Sequence, residues 1–212
     1  ITTTNNNIRN IAIYNSSIDE YVSIPEFENK IYNDDNEGIE KICESFKNDK
    51  NFHFYLRNHP NLSRLNNTQT RKINEFKSKY SNLTVIESDE EIDSYALMEA
   101  SEAVITFGST MGIESVYWGT PSILLGRTFY EDIEGVFKPT NHEEVCNMIR
   151  QNKNNPPSKI GALKFGYWSL MYGDKFKYFK PEGLFKGTFM DQKVKANFFD
   201  RLILKLNRIY SK

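Results

Sequence analysis

Short apolar runs alternate with stretches in which apolar residues recur every three or four positions. Residues 11–14, 52–56, 83–86, 103–107 and 122–125 are mostly apolar runs, as in strands buried on both faces. Residues 135–138 read as a last short strand. Between these runs, Ile39, Ile42, Cys43 and Phe46 give helical spacing over 38–48. Further helices are expected over 70–80, 92–101, 110–118 and 143–151, the last capped by Asn141. Strands alternating with helices predict an α/β fold over 11–152: a Rossmann-like parallel sheet with helices on both faces. Residues 1–10, polar and rich in Asn, read as a linker. Residues 22–37, with Pro25 and the acidic cluster Asn33-Asp34-Asp35-Asn36, read as loop.

After Asn152 the pattern changes. Asn154-Asn155-Pro156-Pro157 is a break. Residues 153–212 are expected to form a helical, basic C-terminal extension. It would hold a helix over 159–172, aromatic residues alternating with lysines at 175–180, a loop over 183–190 and an amphipathic helix over 193–210.

The chain has 212 residues, 39% hydrophobic and 14% aromatic, enough for one α/β core and an extension. No apolar run reaches membrane-spanning length, and the first ten residues lack a signal-peptide pattern. The chain does not begin with Met, so a piece of a longer protein is expected. Cys43 and Cys146 lack metal-ligand spacing and read as buried free thiols in a reducing, cytoplasmic setting. From Asp174 onward ten Lys/Arg stand against four Asp/Glu, a balance of +6; the total of −1 leaves −7 for the first 173 residues. Three readings stand for this basic tail: a packing helix with a solvated basic face, peripheral contact with an anionic membrane, or nucleic acid. The first is favoured and nucleic acid is set aside.

The candidate chemistry collects where strands end. Gly108-Ser109-Thr110 joins a strand to a helix. The helix start offers backbone N–H groups, a positive dipole end and two hydroxyls, a set that suits a phosphate. Glu114 lies one turn further along the same face, where a carboxylate can hold a ribose diol. The plainer alternative is that Ser109 and Thr110 only cap the helix and Glu114 is solvated. Arg57-Asn58-His59-Pro60 ends another strand; Arg57 and His59 could hold a diphosphate, or His59 could simply bond within its loop. Ser16 and Ser17 end the first strand and read equally as ligand donors or as a turn. In a parallel sheet these stretches, with Glu87-Ser88, share the carboxyl edge where ligands bind. No G-x-G-x-x-G, P-loop or G-x-S-x-G pattern occurs, and the three histidines have no metal-ligand spacing.

Several segments together resemble the C-terminal, nucleotide-sugar-binding half of GT-B fold glycosyltransferases of the bacterial capsule polysaccharide biosynthesis type. They are Tyr14-Asn15-Ser16-Ser17-Ile18-Asp19-Glu20, Arg57-Asn58-His59-Pro60-Asn61, Thr106 to Glu114 and Tyr117-Trp118-Gly119-Thr120-Pro121. Ala162 to Tyr167 and Tyr172 to Tyr178 add to it, and the likeness covers roughly 11–190. Sialic-acid and Kdo transferases and teichoic-acid polymerases share the His-Pro and Ser-Thr pairs, so the donor is not fixed. The resemblance implies a nucleotide-sugar donor (CMP-, UDP- or GDP-linked), a glycan acceptor, no cofactor and no metal. His59, Ser109 and Thr110 would face phosphate, with Pro60 and Gly108 shaping the backbone, Glu114 would face the ribose, and Arg57 is a weaker member. The catalytic base is expected from an N-terminal domain missing here, with His59 as the in-chain alternative. The chain alone would then be inactive or bind weakly, working in the cytoplasm or at the inner face of the membrane. The competing readings are a nucleotide-sugar epimerase on the same fold and a non-catalytic nucleotide- or glycan-binding module.

Overall fold

The computed structural model describes residues 8–17, 31–63, 65–151, 157–173, 176–183 and 186–195. They fall into two compact units, divided between Ser169 and Leu170.

The first unit alternates strands and helices: β1 (Arg9–Tyr14), α1 (Asp35–Phe46), β2 (Phe52–Arg57), a 3-10 turn (Pro60–Leu62), α2 (Thr68–Lys79), β3 (Leu83–Ile86) and α3 (Ser94–Glu99). It continues with β4 (Ala103–Thr106), α4 (Met111–Trp118), β5 (Ser122–Leu124), β6 (Val136–Phe137), α5 (His142–Arg150) and α6 (Lys159–Met171), which runs on across the division. All neighbouring strands are parallel, in the order β3-β2-β1-β4-β5-β6. This is the doubly wound arrangement expected from the sequence.

Burial explains the strand composition. All four residues of β4 are buried, because helices cover both faces of the sheet centre. On one face Ile11, Ile13, Phe54, Leu56 and Ile105 pack against Ile39 and Phe46 of α1, Ile73 and Phe76 of α2, and Val145 and Ile149 of α5. On the other, Ala12, Tyr14 and Val104 meet Leu97 and Met98 of α3, while Leu124 meets Ile113 and Val116 of α4 and Ala162 of α6. Cys43 and Cys146 are free and buried.

Some boundaries differ from expectation. Arg9 and Asn10 belong to β1, not to a linker. Their polarity hid them. Arg9 lies over the Phe52 ring, and its guanidinium donates to Glu102 and to the carbonyls of Arg150 and Gln151. Helix α1 starts at Asp35, three residues earlier than expected, because Asp34 caps it by accepting from the Glu37 N–H at 2.7 Å. The acidic cluster read as loop is therefore partly a helix start.

The larger correction concerns the second unit. Where a loop and the start of a helix were expected, it holds an antiparallel sheet of β7 (Phe179–Gly183), β8 (Lys186–Phe189) and β9 (Gln192–Lys195). A two-residue turn, Met190-Asp191, joins β8 to β9 with φ of 48° and 63°. Hairpin turns of this kind favour Asn-Gly or Asp-Gly, so Met-Asp gave no turn signal. Over four residues, Gln192–Lys195 fits a strand as well as a helix. The rest of the expected helix, 196–210, lies outside the described residues. Among the described residues no helix is long and apolar enough to cross a membrane.

Candidate functional site

One register row of the sheet runs Ile86, Arg57, Tyr14, Thr106, Leu124. The residues that follow each of these therefore emerge along one edge. The chain leaves β1 for a helix on one face and enters β4 from a helix on the other. The loop after β1 leads to α1 on one face and the loop after β4 to α4 on the other, the switch point where doubly wound sheets form a ligand crevice.

The β1 loop is held by three other elements. Asn15, only 1% exposed, accepts the His59 N–H through Oδ1 at 2.8 Å. The Ser16 N–H donates to Asp35 Oδ2 at 2.7 Å, and the Ser16 carbonyl accepts from Gln69 Nε2 at 2.8 Å. Two buried groups of this loop, Asn15 Nδ2 and the Ser16 hydroxyl, make no hydrogen bond. Buried polar groups in native proteins are nearly always paired, so these two mark a place where a ligand atom could complete the structure. Ser17 is fully buried in the same loop. Burial drives the Asp35 carboxyl up to about 7; the Ser16 N–H opposes this and the charge of Asp34 adds to it.

His59 is half-buried and opens the 3-10 turn, with Pro60 supplying the first position. Its Nδ1 accepts the Asn61 N–H at 3.2 Å. A neutral imidazole whose Nδ1 accepts carries its proton on Nε2, so Nε2 is the donor left for a ligand oxygen. Arg57 is engaged within the fold. Its guanidinium donates to the carbonyls of Glu87 and Glu90 and ties down the loop after β3.

Across the crevice, Gly108, Ser109 and Thr110 lead into α4. Ser109 Oγ accepts the Met111 N–H at 3.3 Å, while the Thr110 side chain makes no capping bond and stays exposed. The capping alternative thus describes Ser109 and not Thr110. A Cβ on Gly112 would lie 2.8 Å from Thr106 Oγ1 and 2.6 Å from the Tyr130 hydroxyl. The first turn of α4 therefore sits flush on the end of β4. The Tyr130 hydroxyl also donates to the Ser109 carbonyl and fixes the turn. Glu114 is half-buried and accepts from the Tyr95 hydroxyl, so it is not a solvated surface residue. That bond, then the Glu114 charge, raises the Tyr95 pKa above its ordinary value. The Tyr14 hydroxyl donates to the Ser94 carbonyl at 2.7 Å and ties β1 to α3.

The fold thus brings Ser16, Ser17, His59, Pro60, Gly108, Ser109, Thr110 and Glu114 to one sheet edge. Sequence reasoning missed Asn15, Asp35, Tyr95 and Tyr130. Asp35 was hidden in an acidic run, and Tyr95 fell within the helix expected over 92–101. Only Asn15, next to Ser16-Ser17 at a strand end, carried a positional signal.

A family model described as capsule polysaccharide biosynthesis protein matches residues 28–160. No curated protein matches the chain. Among solved structures, the chain is similar to the UDP-GlcNAc 2-epimerase of Methanocaldococcus jannaschii, at 13% identity and TM-score 0.49 over 78% of this chain and 46% of that one. It is similar to the UDP-GlcNAc 2-epimerase of Neisseria meningitidis bound to UDP-GlcNAc, at 19% identity and TM-score 0.45 over 79% and 45%. It is also similar to the KpsC beta Kdo 2,4 transferase of Thermosulfurimonas dismutans, at 11% identity and TM-score 0.48 over 96% and 53%. The chain spans about half the length of the solved chains it matches.

Proposed function

The chain belongs to the capsule polysaccharide biosynthesis protein family, and from that premise we propose that it is the donor-binding half of a glycosyltransferase. The enzyme moves a sugar from a nucleotide-sugar to a growing surface polysaccharide. The observation that carries this is the switch point between β1 and β4, whose paired carboxyl ends lead to an α4 start with an exposed Thr110 and to a β1 loop holding unpaired buried donors.

In this reading the phosphate groups of the donor lie at the start of α4. The helix dipole and the hydroxyls of Ser109 and Thr110 stabilise negative charge there, and they do so without a divalent ion. His59 Nε2–H donates to the leaving phosphate from the β2 side. Glu114, oriented by Tyr95, accepts from the ribose hydroxyls. The base that activates the acceptor comes from a companion domain. The exposed apolar side chains of Ile160, Leu163 and Tyr167 on α6, with Phe129, give such a domain a surface to cover. In this reading the enzyme works in the cytoplasm, with its nucleotide-sugar donor.

Calorimetric titration with CMP, CDP, UDP and GDP, with and without magnesium, tests the reading. One nucleotide binds without magnesium, and the Ser109→Ala/Thr110→Ala double variant weakens it at least tenfold. Absence of binding both in this chain and in a longer protein that carries the companion domain overturns the proposal.

A further inference from the structure

Beside the crevice, at the carboxyl ends of β2 and β3, lies a cleft of about 180 Å³. Its polar wall is Asn58, Ser63, Thr70, Asn74, Glu87, Ser88 and Asp89. Three observations bear on what it takes. The first is size: pockets for drug-sized ligands begin at about 300 Å³, so this one suits a group of about one sugar ring and not a nucleotide. The second is chemistry. Two carboxylates, two amides, two serines and a threonine line it, and among the described residues no cation does. Such a wall accepts hydrogen bonds from hydroxyls; with Glu87 paired to Lys77, Asp89 supplies the charge that disfavours anions, while Leu62 and Leu65 offer apolar contact for C–H groups. The third is an unfinished bond. Asn58 is 5% exposed; its Nδ2 donates to Glu87 Oε2 at 3.0 Å, but its buried Oδ1 makes no hydrogen bond.

The wall is also held in advance. Glu87 pairs with Lys77, its N–H donates to Glu90 Oε1 at 2.8 Å, and Arg57 clasps the carbonyls of Glu87 and Glu90. Arg57, at the end of β2, thus helps to hold the cleft in shape. A pre-formed polar wall loses little entropy on binding.

We propose that this cleft binds one neutral sugar ring of the glycan acceptor, a hexose or N-acetylhexosamine, through its hydroxyls. The assignment to the acceptor rests on the glycosyltransferase reading above; the assignment of a neutral sugar rests on the wall alone. Asn58 directly precedes His59, so a ring held here lies at the same sheet edge as the donor phosphates.

An amide NMR titration of the whole chain with glucose, N-acetylglucosamine and glucuronate, followed by CMP, CDP, UDP and GDP, tests it. Glucose or N-acetylglucosamine shifts the amides of Ser63, Asn74, Ser88 and Asp89 saturably, and glucuronate at equal concentration does not. Asn74→Ala, at an exposed position, weakens the response at least fivefold. Asp89→Asn lets glucuronate shift the same amides. If a nucleotide shifts residues 108–114 while no neutral sugar shifts the cleft, the inference fails and the donor reading stands. If a neutral sugar saturates the cleft while no nucleotide binds, the sugar site stands and the donor reading fails. Equal binding of glucuronate by the wild type refutes the charge argument and with it the proposal.

Discussion

Asp35→Asn removes a charge from the place where the fold tolerates it least. Asparagine keeps an oxygen that can accept the Ser16 N–H, so the bond that holds the β1 loop survives. In the folded protein the Asp35 carboxyl is raised from 3.8 to about 7, chiefly by burial. The sign follows from linkage. Below pH 3.8 the group is protonated in both states and costs nothing. Between 3.8 and about 7 the folded state holds a proton that the unfolded state has lost, so stability falls as pH rises. Above 7 the loss is complete. At about 1.4 kcal/mol per pH unit, the shift sets a ceiling of about 4 kcal/mol, and partial solvent access reduces this to about 2. Urea denaturation of wild type and Asp35→Asn at pH 4.5, 6 and 8 measures it. The variant is close to wild type at pH 4.5 and more stable by about 2 kcal/mol at pH 8. A stability difference that does not change between pH 4.5 and 8 would refute the claim that burial governs this carboxylate.

Three further outcomes follow from the same edge. Gly126→Ala places a methyl group onto the Phe107 carbonyl oxygen, a backbone atom that cannot yield, and lowers stability by about 3 kcal/mol in the same urea assay. Asn15→Ala strands the His59 N–H and costs about 1–3 kcal/mol, whereas Asn15→Asp keeps an acceptor and restores most of the loss; equal losses in both variants would show that the acceptor oxygen is not what matters. Tyr95→Phe frees the Glu114 carboxylate and lowers nucleotide affinity about fivefold by calorimetry, with less than about 1 kcal/mol change in stability because Tyr95 is 44% exposed.

The central strands of the first unit were legible because the centre of the sheet is covered on both faces. A strand buried that way must be apolar throughout, and β1 and β4 show this as Ile-Ala-Ile-Tyr and Ala-Val-Ile-Thr. The polar ends of those strands were legible for the same reason, since polarity had to resume where burial stopped. The second unit was not legible. Phe189 and Val194 are about half exposed, so no buried face imposed a pattern, and the Met190-Asp191 turn lacks the residues that announce one.

The site divides along the same line. By itself the sequence determined which residue types stand at each strand end: Ser16-Ser17, Arg57 to Pro60, Gly108 to Thr110, and Glu114 one turn on. Spacing within an element is local, and local geometry follows from helix and strand periods. Only the tertiary structure decided what each side chain does. Arg57 turned to the β3 loop, Tyr95 reached Glu114 across 19 positions, and Asn15 met His59 across 44. Those partners come from the order of strands in the sheet, which depends on the packing of the whole chain and is not written in any one segment.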